Sequence, residues 1–231
     1  MFTKRAANQR GRANFGWLDS QHSFSFGQYY DPQQMGFSAL RVINDDVVSA
    51  GAGFATHPHR DMEIISYVLE GCIQHKDSEG NMQNLPAGEF QLMSAGRGIY
   101  HSEFNASATE PLHFLQIWIE PDIFGKQPGY QQKNFGQEPG LTTVLTPTGE
   151  QGSLQIKQDA RLHQLILEPQ HKLSFSIQAG RRLYVHQITG HLMVDQLSLQ
   201  AGDGLKVENL EHLEFINNGE QRVLALLFDL P

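Results

Sequence analysis

The sequence predicts an all-β chain, a sandwich or barrel, organised in two halves. Three observations carry that expectation. Short β-rich segments follow one another, with Gly or Pro in most of the gaps. No long stretch keeps a 3.6-residue apolar period, which argues against βαβ units. A set of short matches also recurs, in the same order, in both halves.

In chain order, strands are expected at Phe37–Asp45, Met62–Glu70, Glu89–Met93, Ile99–Phe104 and Leu112–Ile119. These runs are rich in Val, Ile, Leu, Phe and Tyr, and turn residues separate them. Residues 120–140 read as a linker, because Pro121, Gly125, Pro128, Gly129, Gly136, Pro139 and Gly140 oppose a continuous element. A second set of strands follows at Leu141–Leu145, Leu154–Lys157, Arg161–Leu167, Leu173–Ile177 and Leu183–Thr189. It closes with Leu205–Val207, Leu213–Asn217 and Arg222–Phe228. The expected domains are therefore 1–125 and 126–231. The internal matches set residues 67–71 against 186–190, 85–89 against 199–203, and 102–105 against 214–217.

Composition narrows the function. The chain has 231 residues and a formal net charge of −8. No basic run offers a face for phosphates, so direct nucleic-acid contact is not expected. Lys4, Arg5, Arg10 and Arg12 read as a solvated terminus. No apolar stretch approaches the ~18 residues of a membrane span, and no signal peptide is recognised. A single cysteine, Cys72, forms no internal disulfide and suits the cytoplasm, where it reads as a small buried hydrophobe. A monomer is the default state.

The chemistry lies in the histidines. Residues 57–63 read His-Pro-His-Arg-Asp-Met-Glu. On an extended strand His57 and His59 point to one face, and Pro58 disfavours a helix there. His101 and Glu103 repeat the same i, i+2 spacing. If both segments face inward across a barrel, three nitrogens and one oxygen meet, a donor set for a divalent transition metal. Eleven histidines in 231 residues give about 0.5 His-x-His pairs by chance, so the spacing alone is weak. The other histidines read as structural or exposed, with His22 and His75 lying near the strongest patterned segments.

Longer runs carry more weight. Gly51, His57, His59, Glu63 and Gly71 resemble the first cupin motif, and the run from Gly88 through Ser94 and Gly96 to His101 resembles the second. Ser94 stands where that family usually has Pro. The runs 22–26, 30–32, 40–46, 57–63, 67–71, 77–81 and 94–103 resemble the pirin family and cover most of residues 15–120. The second half matches only through its strand pattern. The resemblance implies a bicupin, two cupin barrels in tandem, with metal held in the first by His57, His59, His101 and Glu103. It also implies that Glu63 is not a ligand. The repeat places Leu213 and Phe215 at the positions of His101 and Glu103, and Ser176 and Gln178 at those of His57 and His59, so the second barrel is expected to be metal-free.

Such a set leaves coordination places open on a six-coordinate ion, as a catalytic metal needs and a closed structural zinc does not. The resemblance implies quercetin 2,3-dioxygenase activity: O2-dependent cleavage of a flavonol with release of carbon monoxide. Glu103 would act as general base, and Phe24, Phe26, Phe54 and Phe104 are candidate wall residues. Fe(II) is the first choice of ion, with Cu, Mn, Ni, Co or Zn also compatible. No residues are assigned to an organic cofactor. The alternative is a non-enzymatic, metal- or redox-responsive regulatory binding protein.

Overall fold

The computed structural model describes all 231 residues, of which 59% lie in strands and 3% in helix. The first ten strands are β1 Phe2–Arg5, β2 Gly11–Asn14, β3 Leu18–His22, β4 Leu40–Val48, β5 Gly53–Glu70, β6 Cys72–Asp77, β7 Met82–Pro86, β8 Glu89–Asn105, β9 Leu112–Ile119 and β10 Gly129–Asn134. The second ten are β11 Gly140–Thr146, β12 Leu154–Gln155, β13 Arg161–Leu167, β14 Lys172–Ser176, β15 Arg182–Thr189, β16 Leu192–Val194, β17 Leu197–Leu199, β18 Gly204–Val207, β19 His212–Ile216 and β20 Val223–Leu230. No helix is long and apolar enough to cross a membrane.

The chain divides into two compact units, residues 11–136 with 156–158, and residues 1–10 with 137–155 and 159–231. The division expected at 125/126 falls instead at 136/137, because β10 pairs with β8 across the stretch read as a linker. Of the basic residues near the start, Arg12 is exposed as expected, but the leading segment is tied down. β1 pairs with β18, Lys4 reaches Asp203 at 2.7 Å, and Arg5 is buried.

In the first unit the sheet order is β2-β3-β4-β9-β5-β8-β6-β7, with β10 added on β8 and every pairing antiparallel. The expected strand at 62–70 is the second half of β5, and those at 89–93 and 99–104 are one strand, β8. Both strands bend at a shared irregularity, where the register shifts between His59 and Asp61, and Asp61 pairs with Gly96. Gly96 has φ +48°, and a Cβ there would overlap the carbonyl oxygen of Lys126. Asp61 adopts φ +62° and accepts the Gly125 backbone N–H at 2.6 Å. The bulge thus turns the half of each strand that carries His57 and His59, or His101, away from the half that packs the core.

The second unit holds a seven-stranded sheet, β1-β18-β15-β20-β13-β11-β12, and a four-stranded one, β14-β19-β16-β17. One apolar cluster fills it. The internal repeat is structural: β5-β6-β7-β8 and β15-β16-β17-β18 turn on left-handed glycines at equivalent places, Gly71 with Gly190 and Gly88 with Gly202. Asn105 and Asn217 each donate their side-chain amide to backbone carbonyls beyond a strand end and accept a backbone N–H two residues on. That match sets Leu213 and Phe215 at the places of His101 and Glu103. Register then corrects the other pair by one residue. His57 faces His101, whereas Phe175 faces Leu213, so Phe175 and Ile177 replace His57 and His59. All four replacements are buried in the apolar cluster.

Candidate metal centre

Three strand positions bring the imidazoles together. His57 on β5 lies directly opposite His101 on β8, and His59 shares the face of His57 two residues on. The ring centroids form a near-equilateral triangle, 4.8 Å for His57–His59, 4.4 Å for His57–His101 and 4.9 Å for His59–His101. His57 Nδ1 lies 2.8 Å from the Ala55 carbonyl, which holds the proton on that nitrogen and leaves Nε2 for the centre.

The electrostatics suit a cation. Burial, reinforced by the neighbouring imidazoles, lowers His59 to about 4 and His101 to about 3. Both rings are therefore neutral at pH 7, the form that binds metal. His59 Nε2 and both ring nitrogens of His101 are buried without a hydrogen-bond partner. A buried ring nitrogen that presents a lone pair to no donor is costly unless an ion takes it. The residues present thus fit a divalent metal.

Glu103 stands at the edge of this triangle. It forms a second group with His101 and His75, whose ligand atoms lie within 4.8 Å of one another. Its Oε1 accepts the Ser66 hydroxyl at 3.1 Å, and its Oε2 accepts the Gln116 amide at 2.8 Å. Glu63 is placed elsewhere. It is buried, and its Oε2 accepts Ser94 Oγ at 2.9 Å and the Lys157 backbone N–H at 3.2 Å.

The sequence reading missed the groups that orient these ligands. His75 is buried 5.4 Å from the His101 ring, with Nε2 bonded to Asp77 at 3.0 Å and Tyr130 of β10 packed behind it at 4.9 Å. His22, Asn44, Gln116, Ser66 and Gln91 stand in one register line across β3, β4, β9, β5 and β8. All are buried and polar, and their signal was polar residues at inward positions of strands, as in Val42, Asn44, Asp46 and Val48 of β4.

His57 and His59 open onto a cavity of about 690 Å3. Phe26, Phe54, Tyr29 and Trp118 line it, with Phe26 edge-on to Trp118 at 5.3 Å and Trp118 edge-on to His59 at 5.0 Å. Of the other expected wall residues, Phe24 is buried in the core and Phe104 faces solvent. Cys72 is half-buried rather than buried.

An all-β pair of cupin domains with a three-imidazole centre in the first defines a bicupin. The sequence profile described as Pirin matches residues 3–119, and that described as Quercetinase C-terminal cupin domain matches residues 143–230. The chain belongs to the pirin family. It is 49% identical over 231 residues to "Quercetin 2,3-dioxygenase" of Escherichia coli (strain K12), covering 100% of this chain and 99% of that protein. It is 34% identical over 238 residues to the "Pirin-like protein YhaK" of the same organism, covering 100% of each. Among solved structures, bacterial pirin YhhW from Escherichia coli in complex with nickel(II) superposes with TM-score 0.97 at 48% identity, covering 100% of this chain and 99% of that one.

Proposed function

We propose that this protein is a metal-dependent dioxygenase that cleaves a flavonol such as quercetin with O2 and releases carbon monoxide. The observation that carries the reading is the triangle of three imidazoles, two of which, His57 and His59, line a cavity walled by aromatic rings. The full-length relatives named quercetin 2,3-dioxygenase support it.

His57, His59, His101 and Glu103 would hold the ion. A divalent cation there makes a bound hydroxyl more acidic and supplies the redox chemistry with O2. Fe(II) remains the first choice; imidazole donors suit nickel(II) as well, the ion with which YhhW is in complex. Ser66 and Gln116 pin the Glu103 carboxylate, one bond to each oxygen, and its remaining lone pairs can take the proton of the flavonol 3-hydroxyl. Phe26, Phe54 and Trp118 cover a flat substrate and exclude water.

The test is metal analysis of the purified protein, anaerobic addition of quercetin, then admission of O2. Carbon monoxide released over many cycles, with one O2 consumed per flavonol, supports the reading. Binding without carbon monoxide supports the regulatory alternative instead.

A further inference from the structure

The cavity has a polar wall that the chemistry above does not use. Ser20 and His22 of β3 and Asn44 and Asp46 of β4 line it. In sheet order these strands are separated from β5 by β9, so at ~4.8 Å per strand they lie about 10–14 Å along the sheet from the strand that carries His57 and His59.

Two atoms of this wall lack partners. Asp46 and His22 are 2% and 4% exposed. Asp46 Oδ1 accepts the Ser20 hydroxyl, and Oδ2 has no partner in the chain. His22 Nδ1 lies 2.7 Å from Asn44 Oδ1, an acceptor, so Nδ1 carries the proton and Nε2 presents a lone pair. The two residues sit diagonally on paired strands, with His22 opposite Asn44 and Ser20 opposite Asp46. Neighbours at that spacing can grip one small ring together. Both acceptors line the cavity and no donor of the chain meets them, so the wall is open to a ligand that brings donors.

Building on the flavonol reading, we propose that Asp46 and His22 form a second subsite that binds the two adjacent hydroxyls of a catechol ring, away from the metal-binding imidazoles. The substrate class is then a flavonol whose pendant ring carries vicinal hydroxyls, and Asp46 and His22 determine specificity. Burial, with the charges of Asp45 and Glu103, lifts the Asp46 carboxyl to about 7 against the opposing pull of Ser20 and His113. Near neutrality it can accept from one hydroxyl or donate to it. Burial lowers His22, which keeps its ring neutral.

The experiment is anaerobic titration of the metal-loaded protein with quercetin and with galangin, the same flavonol without the pendant-ring hydroxyls. The wild-type protein is expected to bind quercetin at least 30-fold more tightly. Asp46→Ala is expected to shrink that ratio about tenfold, and so is His22→Phe, which keeps an aromatic ring against Phe26 and Tyr29. A wild-type ratio near one, or a ratio unchanged in folded variants, overturns the subsite. If Asp46→Ala does not fold, the wild-type ratio and His22→Phe decide. Admission of O2 separates the two readings. A ratio without carbon monoxide keeps the subsite and removes the dioxygenase; carbon monoxide from both flavonols without a ratio does the reverse. Binding of neither removes both.

Discussion

At the level of single residues, His101 is the residue on which the centre turns. It belongs to both groups of potential ligands, and neither of its nitrogens has a protein partner. His101→Ala should reduce bound metal to below about a tenth of the wild-type content, while the metal-free variant melts within about 1 kcal/mol of the metal-free parent. Metal analysis and thermal melting check both halves of that statement. Asp46 makes a pH prediction. Its folded-state value, about 7, lies above the ordinary 3.8, so between those values the folded chain holds a proton that the unfolded chain releases. Stability is therefore lost as pH rises from about 4 to about 7, by an amount on the order of a few kcal/mol. Asp46→Asn carries no such proton and should flatten that part of the melting-temperature profile. The set of four as ligands came from the family resemblance, while the pairing of His57 with His59, and of His101 with Glu103, on one strand face was legible because i, i+2 spacing marks one face whatever the fold. Ser66, Gln116, His75 and Asp77 were not, since each is brought to the centre by pairing between distant strands.

Among elements, the bend shared by β5 and β8 decides where the imidazoles point. A side chain at Gly96 would meet the Lys126 carbonyl, whose oxygen also accepts the Arg97 N–H at 2.7 Å. Gly96→Ala should therefore cost about 2–4 kcal/mol and lower metal affinity, because the 124–127 segment cannot stay against the bulge. Chemical denaturation and metal titration measure the two effects. The expected strands of high apolar content all appear, but β3 (Leu-Asp-Ser-Gln-His) and β6 (Cys-Ile-Gln-His-Lys-Asp) escaped notice. Two of the three inward residues of each are polar, Ser20 and His22 in β3 and His75 and Asp77 in β6, so hydropathy gives no alternation to read. The one-residue slip that chose Ser176 and Gln178 over Phe175 and Ile177 has the same origin: register is set by pairing, and a slip of one exchanges the faces.

Across the whole molecule, each unit contains a segment from beyond its main stretch of sequence. Residues 156–158 belong with the first unit, where the Lys157 N–H meets Glu63 and the Gln158 amide reaches the Glu120 carbonyl at 2.7 Å. Residues 1–10 belong with the second. Fragments cut at 125/126 should consequently be poorly soluble apart and show no cooperative melting, whereas the intact chain melts cooperatively. Deleting residues 2–10 should destabilise the second unit by exposing the β18 edge, yet leave one metal per chain. The two-barrel plan was legible because the turn glycines repeat in order; the exchange of segments was not, since β1 and residues 156–158 carry no pattern of their own. The pairing of β1 with β18 also constrains biosynthesis. At roughly 5–20 residues per second, about 200 residues of translation, or roughly 10–40 s, separate the two strands. During that interval the leading segment is open to proteases and chaperones, and a rigid fusion placed just ahead of it would compete with the last sheet to close.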